Sequence, residues 1–366
     1  MRVAIVGLGN CASALVQGVK YYSDSDSSNA DGLLTPSIGP YGVGSIDFAL
    51  GFDVDQRKIG LPISEAIFSL PNCCAVLDAS VRTDTSGRFS GPVLQAPVLD
   101  GVSDHMRAAG ALDAERFYVV SNAPADPIHF ADKLKEYRID ALVNYLPVGS
   151  QVATEFWANV CLLARVPMVN CIPVFLASNL DWSNKFRDAK VAIIGDDMKS
   201  QFGASVLSQM FQELAETRAH KVLQHIQQNS GGNTDFLNMR NLDRLASKKI
   251  SKENVIRSHG TEPEYLHAGP SDYIRIFGDT KVAHFHLELR GFCGAPVKLD
   301  ARLEVQDSPN SAGIVIDALR YVRVAQDLGI YGALRGPSAF TQKSPPQQMK
   351  LAEALVECDI LASAEY

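Results

Sequence analysis

The stretch over residues 2–12, RVAIVGLGNCA, constrains the fold more than any other part of the chain. An apolar run ends in glycine and gives way to helical spacing. Continuous apolar residues suit a strand buried on both faces, the condition of a parallel strand inside a doubly wound sheet. The glycines follow a G-x-G-x-x-A spacing. Gly7 permits the tight turn, Gly9 lets the backbone approach a pyrophosphate, and Ala12 lets the helix lie close on the strand. Asn10 and Cys11 open the helix, where free amides and the positive dipole end meet phosphate. Cys11 reads as a small packing residue of this fingerprint rather than a reactive thiol.

An acidic ribose ligand is expected about 20 residues further on. Residues 23–44, rich in Ser, Asp, Gly and Pro, push the second strand (46–53) later in the sequence. Asp53 then sits at that strand's end, where an acid favours NAD over NADP. Asp55 suits a helix N-cap instead.

The remaining periodicity predicts helices over 12–22, 64–70, 151–164, 181–189 and 203–217, and strands over 118–121, 140–146, 167–172 and 191–195. Residues 82–99 carry no clear pattern. The alternation predicts an α/β fold, a Rossmann-type doubly wound parallel sheet. Beyond Lys221 the character changes. Residues 221–228, 282–289 and 296–305 alternate like strands of an open antiparallel sheet, and 311–328 is helical again. The expected organisation is a dinucleotide domain over 1–200, an inserted α+β domain over 201–310, and a helical return to the first domain over 311–366.

Composition excludes several classes. A net charge of -7 argues against a general nucleic-acid binder. No apolar run reaches the length of a membrane span. Seven cysteines, an odd number, include no C-x-x-C pair and fit a reducing cytosol. Met1-Arg2 lead directly into a strand, without a cleavable signal, so a cytoplasmic location is expected.

A dinucleotide domain does not account for the middle third. Residues 245–252 (LASKKISK) lie between Asn229, Asn233 and Asp235 on one side and Asp279, Lys281, Asp307 and Ser308 on the other. Amides hold hydroxyls, and lysines hold phosphate and oxyanions that develop during reaction. Residues 195–203 join a strand end to a helix start. There Ser200, Gln201 and the amides around Gly203 offer a phosphate cradle, or Ser200 simply caps the helix. His284 and His286 share one face of a strand, but a metal would need a third ligand that the sequence does not offer.

The chain resembles the myo-inositol-phosphate synthase family in its shorter bacterial form. The likeness is carried in order by VGLGNCASALVQG (6–18), YLPVGS (145–150), NCIPVFLAS (170–178), GDDMKSQ (195–201), GGNTDFLNM (231–239), SKKISK (247–252), DSPNSAG (307–313) and KSPP (343–346). It implies conversion of glucose 6-phosphate to inositol 3-phosphate with tightly held NAD. Carbon 5 is oxidised, carbon 6 enolised, the ring closed by an intramolecular aldol step, and the ketone reduced.

The same resemblance implies roles. Lys248 and Lys343 lie near the carbon 5 oxygen, and Lys281 serves the carbon 1 oxygen. Lys252 clamps the phosphate with Ser200, Gln201 and the Gly203 region. Asn229, Asn233 and Asp235 bind sugar hydroxyls, with Asp235 counted among the catalytic residues and Asp279 among the substrate binders. Asp197 sits near the nicotinamide and Asp307 near the cofactor phosphates. A divalent metal or monovalent cation beside those phosphates would use Asp307 and Ser308. The inserted domain is then catalytic and oligomerising, the assembly a homotetramer, and neither nucleic acid nor membrane is a partner.

Two stretches depart from the family pattern. Gln228 and Ser230 stand at apolar positions of Q-L-N-apolar-G-G-N, and residues 286–294 (HLELRGFCG) replace a text like R-x-E-G-R-x-F-G. The C-terminus after Pro346 also differs. A polar change in a hydroxyl-reading pocket shifts discrimination strongly. The alternative is therefore a paralogue that closes fructose 6-phosphate to a five-membered cyclitol. A plain dehydrogenase would release NADH at each turnover. An idle NAD-binding sensor would have lost the lysines, and all four are present.

Overall fold

The computed structural model describes residues 1–24, 31–108, 114–120, 123–257 and 263–364, without the side chains of residues 242–249 and 270–271. Strand β1 (Arg2–Val6) lies inside a seven-stranded parallel sheet, its residues from Val3 onward fully buried. β2 (Asp47–Asp53) and β3 (Val93–Gln95) extend the sheet to one side. β4 (Ala141–Asn144), β5 (Met168–Asn170) and β6 (Ala192–Ile194) extend it to the other. Strand order reverses at β1, so the crevice beyond its carboxyl end is the topological switch point where such sheets bind ligands. Helix α1 (Asn10–Asp24) starts there. α2 (Pro127–Glu136) and α4 (Leu180–Asp188) are capped by Asp126 and Asn179, and α3 (Gln151–Ala164) lies between them.

Three local expectations differ. The strand expected over 118–121 reduces to a single bridge between Val119 and Asp55, and Ser121 lies outside the described residues. Asp55 caps no helix, because its carboxylate accepts from the Tyr118 amide at 2.9 Å and from Arg57. The unassigned stretch 82–99 holds β3, too short to show alternation.

Helix α5 (Ala204–Thr217) leads into the second sheet. β7 (Lys221–Gly231) is followed by α6 (Thr234–Asn238), α7 (Leu242–Arg257), β8 (Tyr265–Tyr273), β9 (Thr280–Arg290) and β10 (Pro296–Gln306). The order is β8-β7-β9-β10. The sheet is mixed rather than antiparallel, since β8 runs parallel to β7. Parallel neighbours need a crossover, and α6 with α7 supply it. Pro270 hides β8 from a sequence reading, and the strand tolerates it as an edge. The lysine-rich segment 245–252 is likewise helical, forming the middle of α7.

Alternation along β7 turns His225, Gln227 and Asn229 inward, toward α5, and leaves Gln228 on the open face. Phe211 of α5 meets Phe285 of β9 edge to face at 5.5 Å within this second core. Helix α8 (Asp307–Asp327) follows β10 directly and returns to the first sheet, packing on α1. Its buried Arg320 pairs with Asp317 and donates to the Thr35 and Pro36 carbonyls at 2.9 Å, anchoring the excursion after α1. β11 (Gly332–Ala333) adds an edge beside β6, and α9 (Arg335–Thr341) and α10 (Leu351–Ala362) close the chain. Among the described residues, no helix is long and apolar enough to cross a membrane.

Candidate active site

Residues from the carboxyl ends of the first sheet and from the second domain line one cleft of about 1620 Å³, open solvent included. The glycine turn forms one wall. Gly7 has φ 87°, and a Cβ there would meet the Tyr145 carbonyl oxygen at 2.8 Å. A Cβ on Gly9 would meet nothing within 4 Å. The protein itself therefore requires glycine at the first position only. At Gly9 the missing side chain leaves a cradle for an incoming ligand, at the start of α1 where helix amides and dipole favour phosphate. This geometry fits a dinucleotide pyrophosphate. Ala12 is fully buried beneath the turn.

Asp53 holds the turn in place. One carboxylate oxygen accepts from the Leu8 amide at 2.7 Å, and the other from the amides of Val54 and Asp55 at 2.7 and 2.9 Å. Buried Lys58 donates to the Leu8 carbonyl at 2.6 Å. Burial pulls its ammonium down, while the Asp53 charge works in the opposite direction. Burial and the charges of Asp307, Asp279 and Asp235 push the Cys11 thiol up, so it is no nucleophile.

The second sheet and α8 supply the opposite wall. Lys281 at the start of β9 lies 3.0 Å from Asp307 at the start of α8. Asn233 caps α6 with its oxygen and donates its NH₂ to Asp307 at 3.1 Å and Asp279 at 3.3 Å. Ser308 donates its hydroxyl to Asp279 at 2.8 Å. Burial and the neighbouring Asp307 charge push the Asp279 carboxyl up to about 6. The oxygens of Asp307 and Ser308 suit a hard cation. Yet Asp307 already pairs with Lys281, and Ser308 is committed to Asp279. Among the described residues, no three His, Cys, Asp or Glu side chains are gathered as metal ligands. The cation beside Asp307 in this structure is the Lys281 ammonium. His284 and His286 lie on the open face of β9, and His286 pairs with Asp300 at 2.7 Å.

Between the walls, Lys343 reaches Asp197 at 2.9 Å and the Met198 carbonyl at 2.7 Å. Asp197 also accepts from Ser251 of α7 at 2.7 Å, which sets the adjacent Lys252 against the cleft.

The structure thus brings Gly7, Gly9, Asn10, Cys11, Asp53, Ser200, Asn229, Asn233, Asp235, Lys252, Lys281, Asp307, Ser308 and Lys343 onto one cleft surface. Asp197 and Asp279 lie just behind it as partners of lining residues. Gln201 and Gly203 do not line it. The Gln201 amide is tied to the Asn310 carbonyl at 2.6 Å, and Gly203, not Ser200, is the N-cap of α5. The Lys248 side chain lies outside the described residues. Sequence reasoning missed Lys58, Tyr145, Ser205 and Gln227, which also line the cleft. The alternation His225-x-Gln227-x-Asn229 would have found Gln227.

Both departures from the family pattern lie away from this surface. The pleat turns Gln228 and Ser230 to the face opposite Asn229. Residues 286–294 occupy the far end of β9 and the turn beyond it, where Phe292 is exposed. Among the described residues after Pro346, none lines the cleft.

Comparison with known proteins agrees with this geometry. A family profile described as myo-inositol-1-phosphate synthase matches residues 203–308. The chain is 40% identical over 358 residues to an inositol-3-phosphate synthase of Corynebacterium glutamicum, covering 95% of this chain and 94% of that one. It is 42% identical over 353 residues to an inositol-3-phosphate synthase of Mycobacterium tuberculosis, covering 95% and 92%. Among solved structures, Ari2 is 29% identical with a TM-score of 0.76, over 100% of this chain and 99% of that one. A myo-inositol-1-phosphate synthase-related protein from Thermotoga maritima shares the fold, with a TM-score of 0.80 at 21% identity over 100% and 98% of the two chains. With such identity along nearly its whole length, and with the glycine turn, lysines and carboxylates gathered in one cleft, this chain belongs to the inositol-3-phosphate synthase family.

Proposed function

We propose that the chain is an NAD-dependent isomerase that closes D-glucose 6-phosphate into 1D-myo-inositol 3-phosphate. The observation that carries the reading is the convergence of Lys252, Lys281 and Lys343 on the cleft that also contains the glycine turn. Gly7, Gly9, Asn10 and the α1 amides would hold the pyrophosphate, and Asp53 a ribose. Held there, NAD would supply reversible hydride transfer at carbon 5, so that the net change is isomerisation.

The substrate's own phosphate takes the carbon 6 proton, and the chain's residues hold charge and substrate around that chemistry. Lys343, held by Asp197, and Lys248 stabilise negative charge on the carbon 5 oxygen. Lys281, held by Asp307, protonates the carbon 1 oxygen as the new ring bond forms. Lys252 and Ser200 clamp the phosphate, and Asn229, Asn233 and Asp235 meet hydroxyls. Residues 1–200 with 311–366 serve as the cofactor domain and 201–310 as the catalytic domain. The open face of the second sheet is the surface on which a homotetramer would assemble.

Product identification tests the reading. The enzyme is incubated with NAD and, separately, glucose 6-phosphate and fructose 6-phosphate, and products are assigned by carbon NMR. A six-membered inositol phosphate from glucose 6-phosphate is expected. A five-membered ring from fructose 6-phosphate, or NADH accumulating without a carbocycle, would replace this reading.

A further inference from the structure

A chain of polar side chains runs under the cleft between α5 and β7, and its direction is fixed. The Gly269 carbonyl of β8 can only accept, so Asn229 donates its NH₂ there at 2.7 Å. Asn229 Oδ1 accepts from Gln227 Nε2 at 3.0 Å. That leaves Gln227 Oε1 to accept from the Ser208 hydroxyl at 2.8 Å. Ser208 has spent its proton, so it accepts from His225 Nε2 at 3.0 Å. The imidazole then accepts on Nδ1 from Gln212 Nε2 at 2.9 Å.

Reversing the chain would set Asn229 Oδ1 against the Gly269 oxygen, two acceptors in contact. One backbone carbonyl thus dictates the tautomer of a histidine four hydrogen bonds away. All five side chains are buried. Burial pulls His225 down to about 4, which keeps the ring neutral in the working range.

We propose that His225 and Ser208, which do not line the cleft, are positioning residues: the Gly269 carbonyl sets which way the Asn229 and Gln227 amides face, and Ser208, backed by His225, holds the far end so that both keep that setting toward the substrate. A terminal amide otherwise has two nearly equivalent settings about its last torsion. Presented one way only, the pair meets a sugar hydroxyl with a fixed donor and acceptor pattern. Such a pattern rejects an analogue that lacks the hydroxyl. The inference rests on the sugar-phosphate reading above, but its first test does not.

Nitrogen-15 NMR of histidine-labelled protein reads the tautomer without substrate. His225 is expected neutral and protonated on Nε2 at pH 7. In kinetics, Ser208→Ala is expected to raise KM for glucose 6-phosphate by about tenfold. It leaves kcat and the NAD dissociation constant close to wild type, and Ser208→Thr restores KM. An Nδ1-protonated or charged His225 overturns the proposal. So does an unchanged KM in Ser208→Ala, or a loss that Ser208→Thr does not recover. Absence of turnover in wild type counts against the assigned reaction, and the tautomer measurement then decides the proposal alone.

Discussion

Lys343 and Asp197 lie 2.9 Å apart with the carboxylate fully buried, and the same carboxylate holds Ser251 of α7 at 2.7 Å. One anion therefore fixes both the C-terminal loop that carries Lys343 and the helix that carries Lys252. A buried pair of this kind is costly to break on one side only, because the remaining charge stays desolvated.

Lys343→Met is expected to lower turnover by about 100-fold or more, through loss of oxyanion stabilisation. It should also lower unfolding stability by about 3 kcal/mol, because the buried Asp197 carboxylate loses the Lys343 ammonium that offsets its charge. Adding Asp197→Asn removes the stranded charge. The double variant is expected to recover stability in urea unfolding while remaining inactive. Recovery of activity along with stability would make Lys343 a purely structural partner.

The glycine turn yields a contrast. Gly9→Ala meets open space, so its melting temperature should stay near wild type while NAD affinity falls. Gly7→Ala places a Cβ against the Tyr145 carbonyl at a positive φ. It is expected to lose about 1–3 kcal/mol of stability. Calorimetry of binding and of unfolding separates the two, and unaltered NAD affinity in Gly9→Ala would remove the cradle.

Lys281→Ala is expected to abolish carbocycle formation and leave NAD bound. Asp307 keeps Asn233 as a partner at 3.1 Å, so the fold should tolerate the change. Product assay with a parallel binding titration checks both halves. Full turnover takes Lys281 off the catalytic list.

Stability should depend on pH through His225. Unfolded, it titrates near 6.5; folded, burial holds it to about 4. Between those values the unfolded chain binds more protons, so stability is full above about 6.5 and falls as the pH drops toward 4. The loss amounts to about 3 kcal/mol. Asp279 works in the opposite sense, since its folded value is raised to about 6 from 3.8 and its stabilisation fades as pH rises through that window. Subtracting the unfolding curves of a His225→Gln variant isolates the histidine. A difference independent of pH would contradict its burial in neutral form.

The parallel sheet was legible because its strands are apolar on both faces and each ends near a turn residue. The mixed second sheet was less so. The strand Tyr265–Tyr273 contains Pro270, a residue that breaks a strand pattern, and only the completed crossover through α7 shows why an edge position accepts it. The lysines were legible as an ordered set of motifs, but their partners were not. The pairing of Lys343 with Asp197 spans 146 residues, and no local pattern announces it. Gln228 and Ser230 show the reverse error. Adjacent to Asn229 in sequence, they suggested a changed pocket, yet the pleat places them on the other side of the sheet.

Asp53 illustrates how the structure sharpens a prediction. A residue that only read a ribose could be truncated at little structural cost. Here the carboxylate accepts from three backbone amides and stands beside the buried Lys58 ammonium. Asp53→Ala is therefore expected to weaken NAD binding by about tenfold or more and to lower stability as well. Asp53→Asn should not rescue it, because its NH₂ must face an amide that also donates. Turnover at saturating NAD should remain largely intact, since nothing at the lysines changes. A lowered melting temperature with an unchanged NAD dissociation constant would make Asp53 the anchor of the glycine turn and not a cofactor ligand.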